Sequence, residues 1–146
     1  MSFLIMRTEN AKDLPLPSRA TPLSAGLDLR ANIPADICLK AGERRLIPVG
    51  IQIALPAGYE AQVRPRSGLA VVYGIGLLNA PATVDADYRG ELMVTLINHG
   101  EDDFHIKRGD RIAQMVIARV ELAEFTETDA LPESVRGANG FGSSGI

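Results

Sequence analysis

Residues 80–91 (APATVDADYRGE), 65–70 (PRSGLA) and 25–29 (AGLDL), with the amide of Gln114, hold the side chains best suited to chemistry in this 146-residue sequence. In the first segment a proline follows Ala80, and Asp85 and Asp87 sit two apart. Residues two apart in a strand share one face. The segment reads either as a solvated turn with surface carboxylates or as a hairpin whose carboxylate holds a water. In PRSGLA, Arg66 is either an ordinary surface cation or part of a phosphate cradle. Such a cradle needs a fork of donors, a hydroxyl and a close backbone, which Arg66, Ser67 and Gly68 supply. Asp28 stands between apolar neighbours. It is either an inward polar residue satisfied by backbone donors or a group near a metal. Gln114 lies in an apolar stretch, and a buried amide needs partners. It is either structural glue or a ligand contact. His99 and His105 are isolated and expected at the surface, so no His/Cys cluster suits zinc.

Short strands must position these groups. Fourteen Gly and nine Pro punctuate short apolar segments, which predicts an all-β chain. Ile51, Ile53 and Leu55 alternate with Gln52 and Ala54 and stop at Pro56. Tyr59, Ala61 and Val63 alternate with Glu60, Gln62 and Arg64 and stop at Pro65. Leu92, Val94 and Leu96 face one way in ELMVTLIN. Residues 112–120 (IAQMVIARV) are apolar on both faces, so a second sheet or another subunit must cover them. Residues 67–73 suit a short helix. Near Ala123 the strand pattern gives way to polar sequence and then to RGANGFGSSGI. By itself this glycine-rich tail reads as disorder or as a cloning scar.

The composition narrows the function classes. At 46% hydrophobic the chain can fill a core, and at 5% aromatic with no Trp that core must be aliphatic. A net charge of −3 without a basic block argues against long nucleic-acid or anionic-membrane surfaces, but not against a small anionic ligand held by a few local cations. Cys38 is the only cysteine, so no intrachain disulfide forms. It reads as a small buried apolar residue rather than a reactive thiol. The N-terminal apolar stretch is too short for a secretory signal, and no apolar run approaches a membrane span. The expected location is cytoplasmic.

In this order the segments resemble the five sequence motifs of the dUTPase family. AGLDLRA is similar to the first, PRSGLA to the second, NAPATVDADYRGE to the third, GDRIAQMVI to the fourth and RGANGFGSSG to the fifth. The resemblance runs from about Ala25 to Gly145 and replaces the reading of the tail as a scar. It implies one domain over residues 1–146, a jelly-roll-like β-barrel with an arm over about 124–146. It further implies a homotrimer with three active sites at subunit junctions. The implied activity is hydrolysis of dUTP to dUMP and pyrophosphate with Mg²⁺, which keeps uracil out of DNA and supplies dUMP for thymidylate synthesis.

The resemblance also implies roles. Asp85 is the catalytic carboxylate that accepts a proton from the attacking water, and Tyr88 packs on the deoxyribose. A hairpin carrying the third motif holds uracil, with Asn79, Ala80, Thr83 and Val84 among the contacts. Met93 belongs to the same set with less weight, since it offers no polar group. Arg66, Ser67, Gly68 and Gln114 contact phosphates. Arg136, Phe141, Gly142 and Ser143 close over the nucleotide, and Asp28 reaches Mg²⁺ through water. One residue departs from the pattern: Ala82 stands where many relatives have glycine, which costs about 1 kcal/mol if that backbone needs a positive φ. Two rivals remain. A dCTP deaminase shares the fold and the Arg-Ser contacts but typically has a longer chain without the glycine-rich fifth motif. A non-catalytic nucleotide-binding module would not need Asp85 or the complete tail.

Overall fold

Period-two patterns that stop at Pro or Gly produce eleven strands among residues 3–140, the residues described by this computed structural model. They are β1 (Leu4–Arg7), β2 (Leu27–Arg30), β3 (Ile37–Leu39), β4 (Arg44–Pro48), β5 (Ile51–Ala54) and β6 (Tyr59–Arg64). After a helix α1 (Ser67–Tyr73) follow β7 (Ile75–Leu77), β8 (Ala82–Val84), β9 (Met93–Asn98), β10 (Phe104–Ile106) and β11 (Arg111–Arg119). All pairings are antiparallel. They form a four-stranded sheet in the order β2-β11-β6-β8, a three-stranded sheet β4-β9-β7, and the pairs β1-β5 and β3-β10. Many short strands with sequence-distant partners make a jelly-roll-like stack of sheets, and among the described residues the hydrogen bonding does not run round as one closed barrel.

The core is aliphatic, as the shortage of aromatics requires. Ile51, Ile53 and Leu55 are buried, as are Ala61 and Val63 on β6 and Leu92, Val94 and Leu96 around β9. Among the described residues no Phe or Tyr is in the buried core. The helix occupies the expected span. It ends where Gly74 adopts φ +68°, a left-handed cap that glycine adopts without a side-chain penalty. Two glycines meet there, because a Cβ on Gly100 would lie 2.5 Å from the Tyr73 carbonyl oxygen.

A buried amide that the sequence pattern did not single out organises the same corner. The fully buried Asn98 donates to the carbonyls of Leu39 (3.0 Å) and Asp102 (2.8 Å) and accepts from the Gly100 N–H (2.9 Å). Cys38 on β3 is half-buried and donates to Asp103. Burial, then the adjacent carboxylate, pushes its thiol above the ordinary range, the opposite of a reactive thiolate. His99 and His105 are exposed, as expected. Beyond β11, residues 121–139 are all exposed and carry no helix or strand. No helix among the described residues is long and apolar enough to cross a membrane.

Candidate active site

Three segments distant in sequence meet on the four-stranded sheet. Strand β11 lies between β2 and β6, with Gln114 opposite Asp28 on one side and opposite Arg64 on the other. Directly opposed residues share a face, so these three form a row across the sheet. Two residues past Arg64, Arg66 stands at the start of α1 with extended backbone, and Ser67 and Gly68 follow at the surface. Arg66 Nε lies 3.3 Å from Asp28 Oδ1, and Arg111 Nη1 donates to Asp28 Oδ2 at 3.2 Å. Arg66 Nη1 also donates to the Arg111 carbonyl at 2.9 Å. One carboxylate thus aligns two guanidiniums and leaves the trio with an excess positive charge, which suits an anion. Asp28 is 19% exposed and the arginines more so, so the pairs contribute order more than stability.

Gln114 is fixed from two sides. Its Nε2 donates to the Pro65 carbonyl at 2.9 Å, tying β11 to the start of the Arg-Ser-Gly turn. Its Oε1 fills the space beside Gly26, where a Cβ would overlap that oxygen and lie 3.1 Å from Cδ. A cavity of about 350 Å³ opens here, lined by Ser24, Gly26, Asp28, Arg64, Gln114 and their neighbours.

The third-motif segment builds a separate concavity of about 200 Å³, walled by Asn79, Ala82, Thr83, Val84, Asp85, Tyr88 and Met93 over Val63 and Leu92. Strand β8 pairs Val63 with Ala82 and Ala61 with Val84. Ala82 therefore has the extended backbone of a paired strand, and alanine carries no conformational penalty there. Ala80, joined to Pro81 by a cis peptide, precedes this wall.

The turn reading of this segment matches its structure, and the hairpin reading needs correction. Asp85 and Asp87 do not share a strand face, because β8 ends at Val84 and both lie in the turn that follows. Nor does the segment fold back as a paired hairpin: β8 bonds to β6, and the return leg becomes a strand only at Met93, in the other sheet. That leg is held by other contacts. Tyr88 N–H donates to the Asp85 carbonyl (3.2 Å), and Tyr88 Oη donates to the Glu91 carbonyl (3.0 Å). Glu91 Oε1 accepts from the Gly50 N–H (2.8 Å), and Gln52 Nε2 donates to the Arg89 carbonyl (2.7 Å).

Asp85 is exposed at the rim of this concavity, and among the described residues its carboxylate forms no hydrogen bond and no ion pair. The two concavities share no lining residue. A larger apolar hollow of about 400 Å³ lies against the β1–β5 pair, lined by Leu4, Met6, Ile53 and neighbours, and none of the named carboxylates reaches it. Arg136 lies on the exposed arm, where its Nε donates to the Asn139 carbonyl (2.8 Å). Phe141, Gly142 and Ser143 fall outside the described residues.

Sequence reading passed over Arg111. A register shift between Arg111 and Ala113 buries Ile112 and Ala113 in succession and breaks the strand's alternation. Period-two counting has no term for such a bulge. Its one available signal was a cation at the head of an otherwise apolar strand.

Comparison with known proteins identifies the family. The sequence model of the dUTPase family matches residues 12–145. A deoxyuridine 5'-triphosphate nucleotidohydrolase of Maricaulis maris is 60% identical over 139 residues, covering 94% of this chain and 91% of that protein. One of Caldanaerobacter subterraneus subsp. tengcongensis is 54% identical over 142 residues, covering 97% and 96%. Among solved structures, Staphylococcus bacteriophage 80alpha dUTPase with dUPNHPP superposes with a TM-score of 0.89 at 23% identity, covering 99% of both chains. A mutant dUTPase of phage phi11 of S. aureus, which coordinates a structural Mg(II) ion, gives 0.79 at 19% identity, covering 91% of this chain and 100% of that one. The structural likenesses carry the fold, the full-length sequence matches carry the kinship, and together they show that this chain belongs to the dUTPase family.

Proposed function

We propose that the chain hydrolyses dUTP to dUMP and pyrophosphate, with Asp85 accepting the proton of the attacking water. The observation that carries this reading is the Asp85 carboxylate at the rim of a small concavity, where among the described residues it is the carboxylate on the wall and forms no hydrogen bond or ion pair. In this reaction the water oxygen forms a bond to the α-phosphorus. The bond from that phosphorus to the bridging oxygen breaks, and pyrophosphate leaves. Asp85 takes the water's proton, so no Ser or Cys nucleophile is needed.

The remaining residues bind and orient. Arg66 and Gln114, with Ser67 and Gly68, face the phosphates, and Arg136, Phe141, Gly142 and Ser143 close over the nucleotide. Uracil lies against the backbone of Thr83 and Val84, with Asn79, Ala80 and Met93 around it. Cytosine would present a donor where uracil O4 accepts, and mispaired buried polar groups can reject a ligand by about 10⁴- to 10⁵-fold. Tyr88 stands beneath the deoxyribose and crowds out a 2′-hydroxyl.

Among the described residues no group of three or more His, Cys, Asp or Glu is placed to hold a metal. That donor set fits Mg²⁺ carried on the substrate's phosphates, because Mg²⁺ keeps several waters and takes few protein ligands. Asp28 suits the water-mediated contact, since each of its oxygens has a lone pair left after its arginine. Such an ion would supply charge neutralisation on the phosphates. We read residues 1–146 as one catalytic unit working as a cytoplasmic homotrimer without nucleic-acid or membrane partners, the arm over about 124–146 completing each site.

Chromatography of products after incubation with dUTP and, separately, dCTP tests the reading. The expected outcome is dUMP and pyrophosphate from dUTP only. Deaminated nucleotide from dCTP would assign a deaminase, and unchanged dUTP would assign a binding module.

A further inference from the structure

We propose that Gly90 is a positioning residue for sugar selection, because its missing side chain is the seat of the Tyr88 ring. This rests on the reading of Tyr88 as the wall beneath the deoxyribose. A Cβ on Gly90 would overlap Tyr88 Oη and lie 2.5 Å from Cζ and 3.0 Å from Cε2. Gly90 is not among the glycines with positive φ, so its backbone suits any residue. Space, rather than backbone strain, is what demands glycine here.

The surrounding bonds decide which partner would yield to a methyl group at position 90. The backbone on either side of Gly90 is tied to the neighbouring strands. Gln52 Nε2 donates to the Arg89 carbonyl, the Glu91 carboxylate takes the Gly50 N–H, and the Leu92 N–H donates to the Ile51 carbonyl at 2.8 Å. Tyr88 is 44% exposed, and among the described residues a single hydrogen bond, to the Glu91 carbonyl, holds its hydroxyl. The ring is therefore the side that gives. A methyl group at position 90 turns it out of the concavity it shares with Asp85 and Met93 and leaves the fold standing. Gly90 thereby sets the preference for deoxyribose without touching the substrate.

The test uses the full chain as wild type, Gly90→Ala, Tyr88→Ala and the double variant. Specificity constants for dUTP and UTP and thermal unfolding are measured for each. Gly90→Ala should lower the dUTP:UTP ratio about tenfold with little change in Tm. With alanine at 88 the three atoms nearest the new methyl are gone, so the double variant should match Tyr88→Ala within about twofold. Tyrosine labelled with ¹³C at Cζ alone gives three signals, one each for Tyr59, Tyr73 and Tyr88. Only that of Tyr88, identified by its loss in Tyr88→Ala, should move in Gly90→Ala. An unmoved Tyr88 signal, an unchanged Gly90→Ala ratio beside a lowered Tyr88→Ala ratio, or additive losses in the double variant would each overturn the proposal. If Tyr88→Ala keeps the wild-type ratio, the sugar-wall reading falls and the specificity claim with it, while the ring signal still judges the seat. Should Gly90→Ala fail to fold, recovery of the fold in the double variant would place the conflict at the ring, and failure of both would overturn the proposal.

Discussion

Asp85 is the residue on which turnover should depend most, because it combines exposure at a cavity rim with a carboxylate free of protein partners among the described residues. Asp85→Asn keeps the shape and removes the proton acceptor. Its kcat should fall about 10²- to 10⁴-fold, the span of general-base effects. Affinity for a nonhydrolysable dUTP analogue, measured by calorimetry, should be retained. Near-normal turnover would remove Asp85 from the mechanism. The sequence singled out Asp28, Arg66 and Gln114, which the structure brings together, since charged and amide types are visible in letters. It was silent on residues that act through geometry. Gly26 beside Gln114 and Gly90 beside Tyr88 matter for the atoms they lack, and only coordinates show what fills the space. Arg111 was hidden by a bulge that shifts the strand's parity. Arg66 and Gln114 had two readings each. The contacts of Arg66 with Asp28 and the Arg111 carbonyl set it apart from an ordinary surface cation, and Gln114 bonds the Pro65 carbonyl as glue would.

At the scale of elements, strands legible from alternation are those with one buried face, such as β5, β6 and β9. The third-motif segment misled because its turn residues look like a hairpin, whereas β8 is drawn to β6 and the return leg to the β4–β5 turn. No local pattern encodes that choice of partner. The same holds for Asn98, whose letter says polar and whose position is fully buried with three hydrogen bonds. Asn98→Ala would leave two carbonyls and an N–H without it. Urea denaturation should show a loss of about 3 kcal/mol, near the upper cost of orphaned buried polar groups. A loss under about 0.5 kcal/mol would mean water replaces the amide. A surface clamp adds a pH dependence. Arg108 donates to Asp13 through Nε (3.2 Å) and Nη2 (2.7 Å), and this hydrogen bonding holds the Asp13 carboxyl below the ordinary range. A group depressed on folding contributes stability above its unfolded value of about 4, and that contribution is lost as pH falls through the folded value. Asp13→Asn should therefore lower Tm at pH 7 and converge with wild type only as pH falls below the depressed folded value of Asp13. A gap that persists at low pH would show that the charge is not what holds the clamp. Glu43, held down first by the Lys40 N–H and then by Arg45, keeps its own acid response in that variant.

At the scale of the whole molecule, one chain has two concavities that share no lining residue, and apolar surface without cover among the described residues. Val116 and Ala118 on β11 are only partly buried, Leu4 and Met6 on β1 are exposed, and Phe125 on the arm is 98% exposed. Apolar patches of this kind mark association surfaces, and the proposed trimer would cover them if the arm of one chain serves a neighbour's Asp85. Two variants test the crossing, Asp85→Asn and a chain truncated after Val135, which lacks Arg136 and the glycine-rich residues beyond it. Each alone should be nearly inactive, the first for want of the carboxylate and the second for want of closure over the nucleotide. They are unfolded together in equal amounts and refolded, and light scattering confirms that the product is trimeric. A working site then draws its Asp85 from a truncated chain and its arm from an Asp85→Asn chain. With random closed trimers each condition is met half the time, so about a quarter of sites should work and activity should recover to about that share of wild type. If each arm serves its own chain's Asp85, every site lacks one or the other, because no chain in the mixture carries both. Absence of recovery, with mixed trimers verified by native mass spectrometry, would therefore rule out the crossing arm. Recovery without trimers in the scattering profile would instead require a smaller assembly that still exchanges its arms.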